Sequence, residues 1–189
     1  MIWRQHNAVV REFEEVALPH LSLLYRVAYR LAGNRQDAED LVQETFLKAY
    51  CAFHQFDKGT NCKAWLLTIL QNAHLDHVRK MAKEPPTETW DDRELAHNGS
   101  QPPTDAVEAA LDGSLDSEVE QALQRLPTRH RLAVMLADLE EMSYEEIGKA
   151  LDCPIGTVRS RLHYGRALLR QRLWEFAKKR GYVTSKEEH

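Results

Sequence analysis

The chain has 189 residues, 43% of them hydrophobic and 29% charged, with a formal net charge of −4. This gives room for one medium domain or two small ones with proper cores, and it excludes a disordered or low-complexity chain. No run of about 18 apolar residues occurs, so no transmembrane helix and no membrane insertion are expected. The opening stretch MIWRQHNAVVREFEEVALPH is broken by charges and lacks a signal-peptide core, so the expected location is cytoplasmic.

Residues 8–32 carry Val9, Val10, Phe13 and Val16, then Leu21, Leu24, Tyr25, Ala28 and Leu31. The second set has helical spacing and stops at Gly33, a natural helix end, with Asn34 next. A helix over about 35–50 follows, its apolar side made of Ala38, Leu41, Val42, Thr45, Phe46 and Ala49. Asp37, Glu39 and Asp40 lie in its first turns, where acids suit the positive end of the helix dipole. With Gln43, Glu44 and Lys48 they form a face more polar than packing needs. Spacing alone leaves two explanations open, dipole-compatible surface acids or a docking face for a partner helix.

FHQFDKGTN (53–61) is expected to be a loop, with Asp57, Gly59 and Asn61 as turn formers. Thr60 or Asn61 would cap the next helix, 62–82, whose inner face carries Trp65, Leu66, Ile69, Leu70, Ala73 and Val78. Lys63, Asn72, Asp76, Arg79, Lys80 and Lys83 lie elsewhere on it, with His74 and His77 among them. Phe53, Phe56 and Trp65 stand close to these bases in sequence. Aromatic and cationic groups together suit a single strand, where a base stacks while its phosphate is neutralised. Trp65 at helical spacing fits a core position better.

Cys51, Cys62 and Cys153 are too few and too scattered for a disulfide framework, and no CxxC occurs. Cys51 and His54, like His74 and His77, are three residues apart, yet no HExxH or paired-Cys pattern supports a metal site. Neither metal nor cofactor is expected.

Residues 84–120 hold four of the seven prolines and eleven acids opposed by Arg93 alone, a charge of −10. This composition reads as an extended, self-repelling linker. Beyond it, Leu115, Val119, Ala122, Leu123 and Leu126 make a helix stopped by Pro127. Thr128 would cap another, with Leu132, Met135, Leu136 and Leu139 inside.

The second half is organised around 143–170, SYEEIGKALDCPIGTVRSRLHYGRALLR, which reads as helix, tight turn, helix. Ser143 and Glu146 have capping-box spacing, and Ile147, Ala150 and Leu151 give the first helix one apolar face. Asp152-Cys153-Pro154 breaks it, and Pro154 suits the first turn of a new helix. In that helix Val158, Leu162, Gly165 and Leu169 form a ridge. Ser160 and His163 lie opposite, flanked by Thr157, Arg159, Tyr164 and Arg166. Such a face is equipped to enter a major groove, where short polar and Arg side chains meet base edges and later Arg residues meet phosphates. Over 153–180 eight bases stand against Glu175 alone, +7 on an otherwise acidic chain, an electrostatic footprint for DNA. The tail after Gly181 is polar.

Two blocks resemble the extracytoplasmic-function (ECF) group of RNA polymerase sigma factors. DAEDLVQETFLKAY (37–50) with CKAWLLTILQNAHLDHVRK (62–80) is similar to the family's region two, and 122–170 is similar to its region four. The resemblance implies an all-α chain with a region-two bundle over 1–83, an acidic linker over 84–114, a region-four helix-turn-helix domain over 115–180 and a tail over 181–189. It also implies that Asp37, Asp40, Gln43 and Glu44 bind the β′ clamp helices of core RNA polymerase, and that the β flap is a second polymerase contact. By the same likeness Asn61, Lys63, Asn72, Asp76, Arg79 and Lys80 face the minus-ten element as opened single strand. Thr157, Arg159, Ser160, Arg161 and His163, with Arg166 beside them, would bind the minus-thirty-five element as duplex. The linker would thread towards the polymerase cleft, and an anti-sigma factor is implied as a partner. Tyr164 departs from the pattern, standing where many relatives carry a basic residue.

Energetics agree with dependence on a larger enzyme. Separating about ten stacked steps costs roughly 14 kcal/mol. Stacking a freed base on protein returns about 1–3 kcal/mol. The implied function is therefore promoter selection for polymerase. The alternatives are a helix-turn-helix regulator that is not a sigma subunit, or an enzyme. The first half shows no receiver-like or ligand-binding strand pattern, and no nucleophile–base pair or phosphate loop is present, so catalysis is not expected.

Overall fold

Every element among the described residues is helical. The computed structural model describes residues 2–83 and 116–182. The chain divides into two compact units, Met1–Asp112 and Gly113–His189. The acidic segment expected as a linker, 84–114, and the tail from 183 lie outside the described residues.

In the first unit α1 (Ile2–Ala17) runs into a 3-10 turn, Leu18–His20, where Pro19 interrupts the α-helical ladder before α2 (Leu21–Ala32). Gly33 ends α2 in the left-handed region, at φ 81°, and its N–H donates to the Tyr29 carbonyl at 2.8 Å. Asn34 then caps α3 (Arg35–Ala52), its Oδ1 accepting the Asp37 amide at 2.9 Å. The expected loop begins with a 3-10 turn, Phe53–Gln55, and is tied by Asp57, whose carboxylate accepts the Gly59 amide at 3.1 Å. Asn61, rather than Thr60, caps α4 (Cys62–Lys83), accepting the Ala64 amide at 3.1 Å; the Thr60 hydroxyl donates to the Asp57 carbonyl instead.

Leu24, Val27, Leu66 and Leu70 form the fully buried centre of this unit, with α2, α3 and α4 packed together. Phe13 of α1 makes edge-on contacts with Phe46, Tyr50 and Phe53, at centroid distances of 6.2, 5.4 and 5.3 Å. Two expectations for α4 are corrected. Val78, assigned inward, is 45% exposed, and every residue from Asp76 to Lys80 is exposed with it, so the inner face of α4 ends before it. His74, grouped with the outward residues, is buried, lying one turn beyond Leu70 on the same side.

In the second unit α5 (Ser117–Gln124) leads through Leu126 to α6 (Thr128–Val134). Here Pro127 occupies the capping position and Thr128 is the first helical residue, with no side-chain cap, contrary to the role expected of Thr128. The helix then widens into a π turn, Met135–Leu139, which lets Met135 and Leu136 both stay buried. Glu141 at φ 51° turns the chain so that Met142 folds inward. Ser143 and Glu146 make both halves of the capping box that starts α7 (Tyr144–Ala150). The turn passes through Asp152 at φ 44°, and α8 (Ile155–Lys179) begins behind Pro154. Val158 and Leu162 are fully buried, and α8 crosses α6 at Gly165, where a Cβ would lie 2.7 Å from Val134 Cγ2.

Candidate protein and nucleic-acid interfaces

The first surface is the outer side of α3. Asp37, Asp40 and Gln43 are exposed and Glu44 is half-buried, so the four residues implied to bind polymerase share one side of a single helix. Asn34 orients Asp37, donating from Nδ2 to its carboxylate at 2.8 Å, and Glu44 pairs with Lys48 at 2.7 Å. Sequence reasoning missed Leu47, 67% exposed just beyond Glu44 at the C-terminal end of this stripe. The available signal was its place seven residues after Asp40, on the polar side of the helix.

The second surface is α4. Asn72, Asp76, Arg79 and Lys80 follow one another at helical spacing and all are exposed, with Asp76 and Arg79 3.4 Å apart. Asn61 and Lys63 do not join them. They lie at the start of α4, where Asn61 is the cap and Lys63 lies near His20, helping burial to hold that imidazole below its usual pKa. Phe53 and Phe56 are buried, and Trp65 is half-buried against Phe56 with centroids 4.8 Å apart. The aromatic group near the bases is therefore mainly packing.

The third surface is α8. Arg159, Ser160, His163 and Arg166 are exposed, Thr157 and Arg161 half-buried. The Ser160 hydroxyl donates to the Thr157 carbonyl at 2.9 Å, and Arg161 reaches the Cys153 sulfur at 3.6 Å. Arg166 is clamped on Asp138, Nη2 to Oδ1 at 2.6 Å and Nε to Oδ2 at 3.2 Å, with the Tyr144 hydroxyl as a further partner. These hydrogen bonds raise its pKa further, so it stays charged at any working pH. Arg159, His163, Arg166 and Arg170 together line a groove floored by Leu162 and closed by Tyr144. Beyond Leu169 the helix carries Leu173, Trp174, Phe176 and Ala177, half-buried, on the side facing α5. Arg180 at its end binds Asp116 at 3.2 Å and covers the Phe176 ring. Sequence reasoning stopped the motif at 170 and did not see this closure.

Among the described residues no group of three or more His, Cys, Asp or Glu side chains could hold a metal ion. No helix among them is long and apolar enough to cross a membrane.

Comparisons with known proteins give these surfaces a context. The family model for sigma-70 region 2 matches residues 17–84, and that for sigma-70 region 4 matches residues 116–169. The ECF RNA polymerase sigma factor SigE of Mycolicibacterium smegmatis is 38% identical over 167 residues, which are 88% of this chain and 63% of SigE. SigW of Bacillus subtilis, also an ECF RNA polymerase sigma factor, is 33% identical over 85% of this chain and 88% of its own. Among solved structures, the sigma factor RpoE of Bartonella quintana, in complex with the anti-sigma factor NepR, matches with a TM-score of 0.70. It is 31% identical, over 86% of this chain and 97% of RpoE. Two helical domains in the order of region 2 and region 4, matched together across most of the chain, place this protein in the ECF family of RNA polymerase sigma factors, non-catalytic subunits that direct promoter-specific transcription initiation.

Proposed function

We propose that the family activity is divided here among the three surfaces. The α3 stripe of Asp37, Asp40, Gln43 and Glu44, with Leu47 at its C-terminal end, docks on the β′ clamp helices of core polymerase. The α4 face of Asn72, Asp76, Arg79 and Lys80 holds the minus-ten element as single strand, with Asn61 and Lys63 contributing from the helix start. The α8 face of Thr157, Arg159, Ser160, Arg161, His163 and Arg166 binds the minus-thirty-five element as duplex, its domain resting on the β flap. Residues 1–83 and 115–180 thus form separate working modules, with 84–114 as tether, and the protein acts in the cytoplasm.

The observation that carries this is the segregation of charge. An acidic stripe with one bare leucine lies on α3, whereas the outward side of α8 is cationic and polar. An acidic stripe repels phosphate and suits a protein partner, and the exposed Leu47 beside it offers apolar area that such a contact would bury. Because RpoE was solved with the anti-sigma factor NepR, we also propose an anti-sigma partner that competes with polymerase for this chain.

Run-off transcription with core polymerase tests the assignment. Leu47→Ala is expected to weaken core binding about five-fold, the worth of the apolar surface no longer buried, while duplex binding by α8 is unchanged. Arg159→Ala is expected to do the reverse. If the chain supports no initiation and merely modulates another sigma subunit, the regulator alternative stands instead. Nanomolar, sequence-specific binding by the purified chain without polymerase would also contradict the division of labour.

A further inference from the structure

Tyr164 is an aromatic residue left 61% exposed in the middle of the surface assigned to duplex DNA. At roughly 100° per residue it lies about 40° from Ser160 around α8 and one turn further along. Arg159 and Arg166 lie to one side of this line and Arg161 to the other. In a groove-bound helix flanking bases of this kind reach the phosphate walls, and the residues between them face the base edges. Tyr164 belongs to that central strip with Ser160 and His163.

The ring is also held in place. His163 meets it edge-on with centroids 5.5 Å apart at 79°, and His130 meets it at 6.3 Å and 68°. His130 is itself anchored, because its Nδ1 lies 3.2 Å from the Arg161 carbonyl, which can only accept, so Nδ1 donates. Two imidazoles from different helices thus restrict the motion of an aromatic side chain that is mostly open to solvent. A side chain ordered before binding loses less entropy when it meets its partner. The ring carries no charge, so it adds nothing to counterion release at the phosphates. Besides its hydroxyl, which Tyr164→Phe removes, the ring offers an apolar face, and the apolar feature of the major groove is the C5-methyl group of thymine.

We propose that Tyr164 is a further specificity-determining residue, packing its ring on the C5-methyl of one thymine in the minus-thirty-five duplex. The inference rests on the reading of α8 as the duplex-binding helix.

The experiment uses the full chain bound to core polymerase and promoters recovered by sequencing the DNA that this holoenzyme retains. Each minus-thirty-five thymine, on either strand, is replaced singly by deoxyuridine, which removes only the methyl group. At one position the wild-type holoenzyme is expected to lose about four-fold in promoter affinity, the worth of one buried carbon. Tyr164→Phe keeps that response and Tyr164→Ala abolishes it. The salt dependence of binding is expected to be unchanged in Tyr164→Ala. The proposal is overturned if no uracil position separates wild type from Tyr164→Ala, or if Tyr164→Phe loses the response as Tyr164→Ala does, which would mark a contact made by the hydroxyl and not by the ring face. Scrambling the whole minus-thirty-five element separates the two levels. If wild-type binding does not respond to scrambling, the duplex reading of α8 itself has failed; if it responds but uracil has no effect, only the role of Tyr164 has.

Discussion

Gly165 and Val134 set the tightest crossing in the second unit. A Cβ at 165 would fall 2.7 Å from Val134 Cγ2 and 3.4 Å from the His130 carbonyl. Gly165→Ala removes an intrinsic helix penalty of about 1 kcal/mol, yet the overlap must be relieved by moving buried groups, which typically costs about 1–3 kcal/mol. The net expectation is a loss of stability, seen as a lower urea midpoint, and the paired change Val134→Ala recovers part of it. Ser143→Ala removes the hydroxyl half of the capping box and is expected to cost about 1 kcal/mol in the same measurement. His20 gives a pH prediction for the first unit. Burial, then Lys63, hold its pKa below the ordinary 6.5, so the folded unit binds fewer protons than the unfolded chain just below that pH. Stability is therefore fully present above pH 6.5 and falls as pH drops through the lowered value. Thermal melts are expected to show a smaller decline between pH 7 and pH 5 in His20→Asn.

At the scale of elements, the Asp138–Arg166 clamp joins the end of the π turn to the middle of α8. Both side chains are more than a third exposed, so the pair is worth at most about 1 kcal/mol and is weakened by salt. Asp138→Asn is expected to lower the melting temperature modestly in dilute buffer, with the difference shrinking in high salt. A difference that does not shrink would mean that the clamp contributes through packing. Helices with a strong one-sided pattern were legible in the sequence, as were stops at Gly33 and Pro127 and the cap at Ser143, because each rests on chemistry local to a few residues. The π turn was not, since a widened turn leaves no mark in a 3.6-residue period. The last turns of α8 were missed because the half-buried Leu173, Trp174, Phe176 and Ala177 are interleaved with charge, and their partner α5 is distant in sequence. Asp37, Asp40, Gln43 and Glu44 were legible as one outward stripe. Leu47 shares that side by its place seven residues after Asp40, but a lone leucine in a polar stripe is told from a buried one only by its exposure in the fold.

For the whole molecule, each unit has its own buried centre, built on Leu24, Leu66 and Leu70 in one and Leu136, Ile147 and Leu162 in the other. Residues 1–112 and 113–189, expressed separately, are each expected to unfold in a single cooperative transition. Failure of either fragment to melt cooperatively would show that its core needs the other. Neither fragment alone is expected to support promoter-specific initiation, since two modest DNA contacts gain strength only when joined and held at the right spacing.

The close crossing at Gly165 fixes how α8 lies over α6, and the far end of the helix is held as well, by its contacts with α5 and the Arg180–Asp116 pair. With 25 residues the helix is about 37 Å long, so a change at that crossing is felt by the packing on either side of it. A bulkier residue at 165, on the buried side of the helix, is therefore expected to alter promoter preference indirectly, by changing how α8 is held. Retuning of this kind would come from packing alone, with the side chains proposed to meet DNA left as they were.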